Sequence, residues 1–450
     1  MKKIDEMLRT LELWLEDSEQ QSMHASVIAK LLKKIKKQDD EKFFEYLKKI
    51  PTDILGDVLL ELPEKIKDEA ISHLSAEKLG FAVEALESDD ATDLIQDIGD
   101  IDEVKSENII ANLDEEDQGD IEKLLQYSDN QAGAYMQTEL FDASLDESIE
   151  DAVARFKILK DNDELENIHN VFIVDDEHRL MGAIQLEDLI TLDFSITFQS
   201  ILSSGDYQTQ KASSIDLIED VAHTVEQFDL NAIPIVDWEN KLVGRITADD
   251  VIDVIEELAT DQIYNMAGVD EDTEHEEDIK MVTYRRGSWL LVNLITAIAA
   301  SLVISIFDET LQAFIPLAIL MPIVASMGGN SGTQTLTVMV RQMALGDIDT
   351  ENAKDAIKKE IIVSFLNGLL FALIMAIVAF GWFHNVMLGV VIGLAMIINM
   401  LAAGIFGAIV PLSLKKFGID PAIGSTVVLT TATDMIGFFA FLALAQAILL

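Results

Sequence analysis

The sequence predicts a multidomain α-helical membrane protein, with a cytoplasmic α-superhelical N domain, an α/β tandem pair of modules and five transmembrane helices. Three observations carry that prediction. Long apolar stretches are confined to the C-terminal end, a 20-residue pattern recurs at an offset of 62, and the N-terminal part is acidic and built of short amphipathic segments. The expected domains are residues 1–130, the tandem modules 131–255, a connecting helix and linker 256–284, and the membrane region 285–450.

Residues 1–50 read as amphipathic helix, because Leu8, Leu11, Leu15 and then Val27, Leu31, Ile35 recur at helical spacing. Short helices are expected over Ile54–Leu62, Lys65–Leu74, Leu79–Leu86, Thr92–Ile98 and Ser106–Leu113. Pro51, Pro63, Ser75, Ser88–Asp90 and Asp114–Asp117 separate them, all good turn or capping residues. Stacked short helices suggest a superhelix of the repeat type. Asp89, Asp90 and Asp93 stand near a helix start, where the macrodipole already favours carboxylates, so a purely structural role is open to them.

Residues 171–190, VFIVDDEHRLMGAIQLEDLI, align without gaps on 233–252, IPIVDWENKLVGRITADDVI. Each copy reads as strand, acidic turn, strand and a helix opening with acids. From Ala248 to about Met281 a single helix is expected, leading through Asp249, Asp250, Asp253 and the run Asp270–Asp278 to the first span. That helix can transmit movement or cover a pore mouth, or serve as a charged linker.

The apolar stretches run over Trp289–Phe307, Ala313–Val340, Ile361–Phe383, Val386–Leu412 and Ala422–Leu450, each near or beyond the roughly 20 residues that cross a bilayer. Arg285 and Arg286, then Arg341, Lys354, Lys358 and Lys359, then Lys415 and Lys416 mark one side, while Asp308 and Glu309 mark the other. The positive-inside rule places residues 1–285 in the cytoplasm and the C-terminus outside. No signal peptide is expected at Met1-Lys2-Lys3, since an acidic amphipathic stretch follows. A bacterial inner (plasma) membrane suits these features.

Charge divides the chain further. Nine of the 80 acidic and eight of the 32 basic residues follow residue 280, which leaves 71 against 24 before it, about 47 net negative charges. Such an excess repels nucleic acid and anionic surfaces. Cysteine is absent, so metal ligands must be mostly oxygens, which favours magnesium, calcium or manganese.

Within the apolar stretches Asp434 is the lone ionisable residue, and an intramembrane carboxylate marks a functional site because its charge costs at least roughly 2.5–3.5 kcal/mol there. Thr430 lies one turn back on the same face. In the second stretch Pro322, Gly328, Gly329 and Gly332 surround Asn330, Ser331, Thr333 and Gln334. A helix break lining a pathway is the expectation, with close glycine packing the alternative. For Gly389, Gly393, Gly404 and Gly407 packing is preferred. One carboxylate cannot neutralise a divalent cation, whereas a twofold dimer brings two.

The repeat closely resembles a tandem pair of CBS modules, and the whole chain resembles the MgtE family of magnesium channels and transporters. The Pro322…Gly-Asn-Ser-Gly-Thr-Gln element and the Asp-Pro-Ala…Thr-Thr-Ala-Thr-Asp element ending at Asp434 carry the resemblance. It implies a homodimer among membrane lipids, with no catalytic residues and a Mg2+ pathway at Asp434, Asn330, Gln334, Thr430, Gly328 and Gly329. It also implies regulatory magnesium at Asp89, Asp93, Asp229, Asp249, Asp250 and Asp253, closing the pore when cytosolic magnesium is high. Gln262 departs from the acidic family run. By the same resemblance ATP is a candidate ligand at Asp188, Thr247 and Asp250, although Gln185 replaces threonine in the first module. Two competitors remain: transport of cobalt or manganese, and a nucleotide-sensing receptor whose spans only anchor it.

Overall fold

The computed structural model describes residues 9, 11–15, 23–162, 165, 167–203, 205, 207–269, 279–346, 348 and 353–450. Leu8 and the acidic run Asp270–Asp278 lie outside them. The chain forms two compact units, Met1–Glu256 and Glu257–Leu450.

The first unit opens with helices α1 (Ala25–Lys36), α2 (Asp40–Leu47), α3 (Thr52–Leu60), α4 (Glu64–His73), α5 (Ala76–Val83), α6 (Ser88–Ile101), α7 (Glu103–Ile110) and α8 (Glu115–Leu124). Polar caps and prolines set their starts. Ser75 accepts from Lys78 N at 3.2 Å, Asp102 from Lys105 N at 3.1 Å, and Asp114 from Glu116 N and Asp117 N at 3.0 and 2.9 Å. Pro51 and Pro63 stand at the N-caps of α3 and α4. Each short helix expected from the pattern is present, and each begins one to four residues earlier than expected, because the cap and not the first buried residue nucleates the turn. Leu32, Phe43, Leu47, Leu55, Leu59, Leu94 and Ile98 fill their common core.

Two three-stranded sheets follow, joined by helices α9 (Ile149–Asp161), α10 (Leu186–Leu189), α11 (Phe198–Leu202) and α12 (Ile218–Phe228). Strands β1 (Asp142–Ser144), β2 (Asn170–Val174) and β3 (Leu180–Gln185) form one; β4 (Ala212–Ser213), β5 (Ala232–Val236) and β6 (Leu242–Thr247) form the other. In both, the first strand is parallel to the second and the second antiparallel to the third. The duplication extends to register, with a shift after Ile173 in one copy and after Ile235 in the other. Asp175 and Asp237 tie equivalent turns by accepting two backbone N–H groups each. Those turns meet: Leu180 N donates to Asn240 O and Leu242 N to His178 O, both at 3.0 Å.

Helix α13 (Ala248–Ala267) ends earlier than expected. Gly268 takes φ +69°, and Val269 N reaches back to Tyr264 O at 3.0 Å, a left-handed stop that an L side chain would oppose.

The second unit holds α14 (Ile279–Ser305), α15 (Asp308–Ala313), α16 (Pro316–Ala344), α17 (Ala353–Phe383), α18 (Val386–Lys416) and α19 (Ser425–Leu449). Among the described residues four of these, α14, α17, α18 and α19, are long and apolar enough to cross a membrane. The 29-residue α16 is long enough but diluted by its polar and glycine residues. Contrary to expectation, α16 is not broken: it stays helical through Pro322 and the glycine cluster. In hydrocarbon an interrupted backbone has no substitute for its lost hydrogen bonds, while glycine in a continuous helix lets a neighbour approach. Helix α18 is the hub, packed against α16, α17 and α19.

Its glycines do the close work. A methyl at Gly389 would sit 2.8 Å from Ala376 O, and one at Gly407 would sit 2.9 Å from Gly332 O and 3.0 Å from Thr335 Cβ. Gly407→Val should therefore push α18 from α16 and destabilise the membrane unit by about 1–3 kcal/mol. A thermal-unfolding midpoint in detergent equal to that of the native chain would contradict this contact.

Candidate functional site

Asp434 lies in the middle of α19, half-buried, and its carboxylate makes no hydrogen bond or ion pair with the described residues. Preceding hydroxyls are committed to the helix backbone: Thr430 donates to Thr426 O at 2.9 Å, Thr431 to Val427 O at 2.6 Å and Thr433 to Thr430 O at 3.0 Å. Each hydroxyl oxygen therefore keeps its acceptor capacity. On α16, which packs against α19, Ser326, Asn330 and Gln334 are exposed at intervals of four, a polar ridge along one face. A methyl at Gly329 would meet nothing within 4 Å, whereas Gly328 is buried against Asn399 of α18. Exposed amides in line on one membrane helix, and an unpaired carboxylate on the helix packed against it, are unsuited to lipid and suited to water or a hydrated cation.

The second candidate site lies in the first unit. Glu87, Asp89 and Asp90 open α6, and Asp249 and Asp250 open α13. Asp89 is 7 % exposed, and both its Oδ1 and Glu87 Oε1 are buried without a hydrogen bond. Gln137 Nε2 spans the two helix starts, donating to Glu87 Oε2 at 3.0 Å and toward Asp250 Oδ2 at 3.4 Å. Ser88 N and Oγ donate to Glu139 at 3.1 and 2.9 Å. Arg245, 1 % exposed, lies 3.9 Å from Glu87 and donates to Asn167 O at 3.1 Å.

Burial pushes Glu87 up to about 7 against the opposing pull of Arg245. Burial, with the charges of Asp93 and Asp250, takes Asp90 to about 7. Asp89 is held well above the ordinary carboxylate range by burial and then by Asp250 and Asp90. Asp93 keeps an open face to water and rises to about 6, from the protein around it and then from Asp97. Burial also raises Asp250, opposed by hydrogen bonds from Thr247 N and Oγ1 at 3.1 and 2.7 Å.

Of the sequence-predicted regulatory residues, Asp89, Asp93, Asp249 and Asp250 thus come together. Asp253 is exposed farther along α13, its carboxyl raised by surrounding protein and then by Glu256 and Asp249. Asp229 does not join them; it ends α12 at φ 50°, exposed. Asp188 is exposed in the first module, while Thr247 is buried and its hydroxyl donates to Asp249 and Asp250 at the start of α13. Sequence reasoning missed Glu87, Gln137, Glu139 and Arg245. One signal was available, since Arg245 interrupts an apolar strand where the first copy has Ala183.

Among the described residues no three acidic or histidine side chains converge closely enough to hold a metal ion directly. The all-oxygen set and the orphaned Asp89 and Glu87 oxygens suit a hard cation that keeps part of its water shell.

Raised folded values mean that the folded form binds protons more tightly than the unfolded chain, so stability grows as pH falls through about 7 and shrinks as it rises. In chelator, the unfolding midpoint of the first unit should rise by about 3–6 °C from pH 8 to pH 6, the equivalent of about 1–2 kcal/mol. A flat or inverted profile in scanning calorimetry would contradict the burial of these acids.

A family profile described as a divalent cation transporter, MgtE, matches residues 321–444, the MgtE intracellular N domain matches 23–130, and the CBS domain matches 132–194 and 212–257. The magnesium transporter MgtE of Enterococcus faecalis is 33 % identical over 320 residues, 71 % of this chain and 69 % of that protein. The chain belongs to the MgtE family. MgtE proteins of Bacillus subtilis and Thermus thermophilus are 26 % and 28 % identical, over 89 % and 87 % of this chain and 87 % and 89 % of theirs. A crystal structure of the cytosolic domain of the Mg2+ channel MgtE with ATP covers 55 % of this chain and 94 % of its own at 26 % identity and a TM-score of 0.48. This MgtE-family chain is thus a multi-pass membrane protein, with a helical N domain and a CBS pair ahead of its membrane helices.

Proposed function

We propose that this MgtE-family chain conducts magnesium across the inner membrane as a homodimer. It crosses five times, α16 included, with its N-terminus cytoplasmic and its C-terminus outside. The observation that carries the reading is Asp434, unpaired inside a membrane helix that packs against α16, the helix that bears the exposed amides of Asn330 and Gln334. Magnesium dehydrates reluctantly, so amides, threonine oxygens and two aspartates that contact its waters provide a fitting path.

Cytosolic magnesium closes the path through the acidic group. Asp89, Asp90, Asp93, Asp249 and Asp250 repel one another until cations screen them, and the docked arrangement then gains stability. One weak site at ten times its dissociation constant contributes about 1.4 kcal/mol, so about four together approach the roughly 5.5 kcal/mol that swings a gate from 1:99 to 99:1. Helix α13 carries two of these acids, Asp249 and Asp250, at its start and continues into the second unit. There Asn265 Nδ2 donates to Asp420 at 2.9 Å, in the segment that leads into α19, and Met266 O accepts from Thr426 Oγ1 at 2.8 Å, in the first turn of α19. ATP bound at the CBS pair would use Asp250, whose carboxylate then serves both ligands and links nucleotide to the magnesium response.

Magnesium influx into proteoliposomes tests this reading. Saturable influx that falls steeply as magnesium rises on the cytoplasmic face supports pathway and gate together. Influx that ignores cytoplasmic magnesium removes the gate. Cobalt or manganese entering in preference to magnesium reassigns the ion, and absence of all flux leaves the spans as anchors.

A further inference from the structure

Asn399 of α18 is a polar side chain with no exposed surface, buried among membrane helices. Its Nδ2 donates to Val324 O of α16 at 2.8 Å, while its Oδ1 is buried without a partner. Glycines flank the amide on two other helices. A methyl at Gly328 of α16 would stand 2.6 Å from Asn399 Cγ, and one at Gly437 of α19 would stand 2.6 Å from Nδ2. Only glycine fits at either position while the amide stays in place. Both contacts sit beside the pathway residues in sequence, since Gly328 is two residues before Asn330 and Gly437 three after Asp434.

We propose that Asn399 is a positioning residue, whose amide, clamped between Gly328 and Gly437, sets the spacing between the polar ridge of α16 and Asp434 of α19. Lipid supplies no hydrophobic drive for helix association, so a single buried hydrogen bond and close small-residue contacts decide where two helices come to rest. Leaving Oδ1 unsatisfied in hydrocarbon is unfavourable, and a leucine of similar size would avoid it. Shape alone therefore does not explain an asparagine here. Recognition of a hydrated ion through its waters depends on ligand spacing to within about 0.5 Å, which is what a clamp at the crossing controls. This inference rests on the ion-pathway reading of Asp434.

The test uses the full-length chain in proteoliposomes, measuring magnesium influx against concentration and its inhibition by calcium. Asn399→Leu removes the hydrogen bond at similar volume, and Asn399→Ala removes bond and volume. For both, the magnesium concentration at half-maximal influx should rise about tenfold, with calcium competing more effectively than in the native chain. If either variant fails to fold, Gly437→Ala, pressing on the amide from α19, carries the same expectation. A purely structural role would lower maximal influx and thermal midpoint together, leaving half-saturation and calcium inhibition native in the molecules that survive, and that result overturns the proposal. Asp434→Asn measured alongside keeps the two readings apart. If it conducts like the native chain the pathway assignment falls; if it is inactive while the Asn399 variants keep native half-saturation, only the clamp falls.

Discussion

Asp434→Asn should lower magnesium influx by about 60-fold or more while leaving the protein folded. The substitution is nearly isosteric, and the carboxylate makes no hydrogen bond or ion pair with the described residues, so no internal contact is lost. What disappears is its attraction for a dication. A unit charge acting on a divalent ion through one layer of water, about 4–5 Å away, contributes roughly 7 kcal/mol at an effective dielectric near 20. If ion desolvation and salt cancel two thirds of that, roughly 2.5 kcal/mol remains, which is the 60-fold. In a twofold pore both copies change, so this figure is a lower bound. The amide should also raise the thermal midpoint, because an uncharged side chain is cheaper at membrane depth. Loss of flux with a raised or equal midpoint identifies a pathway residue; native flux would make Asp434 structural.

The sequence made the membrane helices legible because hydrocarbon demands some 20 apolar residues in a row, which little else in a protein requires. The CBS pair was legible for a different reason. Strand, acidic turn and strand recur with their bulges, so one copy predicts the register of the other, as Ile173 and Ile235 show. Helix starts in the N domain followed from Pro51, Pro63 and Ser75, whose capping is local chemistry. The continuity of α16 was not legible, since Gly328 and Gly332 read alike whether they break a helix or admit Asn399 and Leu429 against it. The acidic site was legible only by halves. Asp89 and Asp250 stand out as acids at helix starts, but Glu87, Gln137 and Arg245 become neighbours only when α6, the segment before β1, and β6 are packed together. That meeting joins positions more than a hundred residues apart, and no periodicity encodes it.

Arg245 yields the second large effect. Its guanidinium is buried beside Glu87 and acts also on Glu139, Asp89 and Asp250, while its backbone pairs with Gln137, N to O at 2.9 Å and O to N at 2.8 Å. Arg245→Ala removes the cation and leaves those carboxylates facing one another, a change that typically destabilises by about 3–5 kcal/mol when one partner of a buried pair is lost. In chelator at pH 8 the unfolding midpoint of the first unit should fall by about 10 °C. Because the damage is electrostatic, either acid or magnesium should recover much of it. The closed state, which requires these acids to be docked, should then need more cytoplasmic magnesium, so the shut-off midpoint moves upward. The double variant Arg245→Met/Glu87→Gln separates charge from packing. Replacing both members of a buried pair by neutral groups of similar size is often neutral, so the double should be markedly more stable than Arg245→Ala. If the double is as unstable as the single and magnesium rescues neither, Arg245 braces β6 by its stem rather than its charge, and electrostatic repulsion is not what the gate senses.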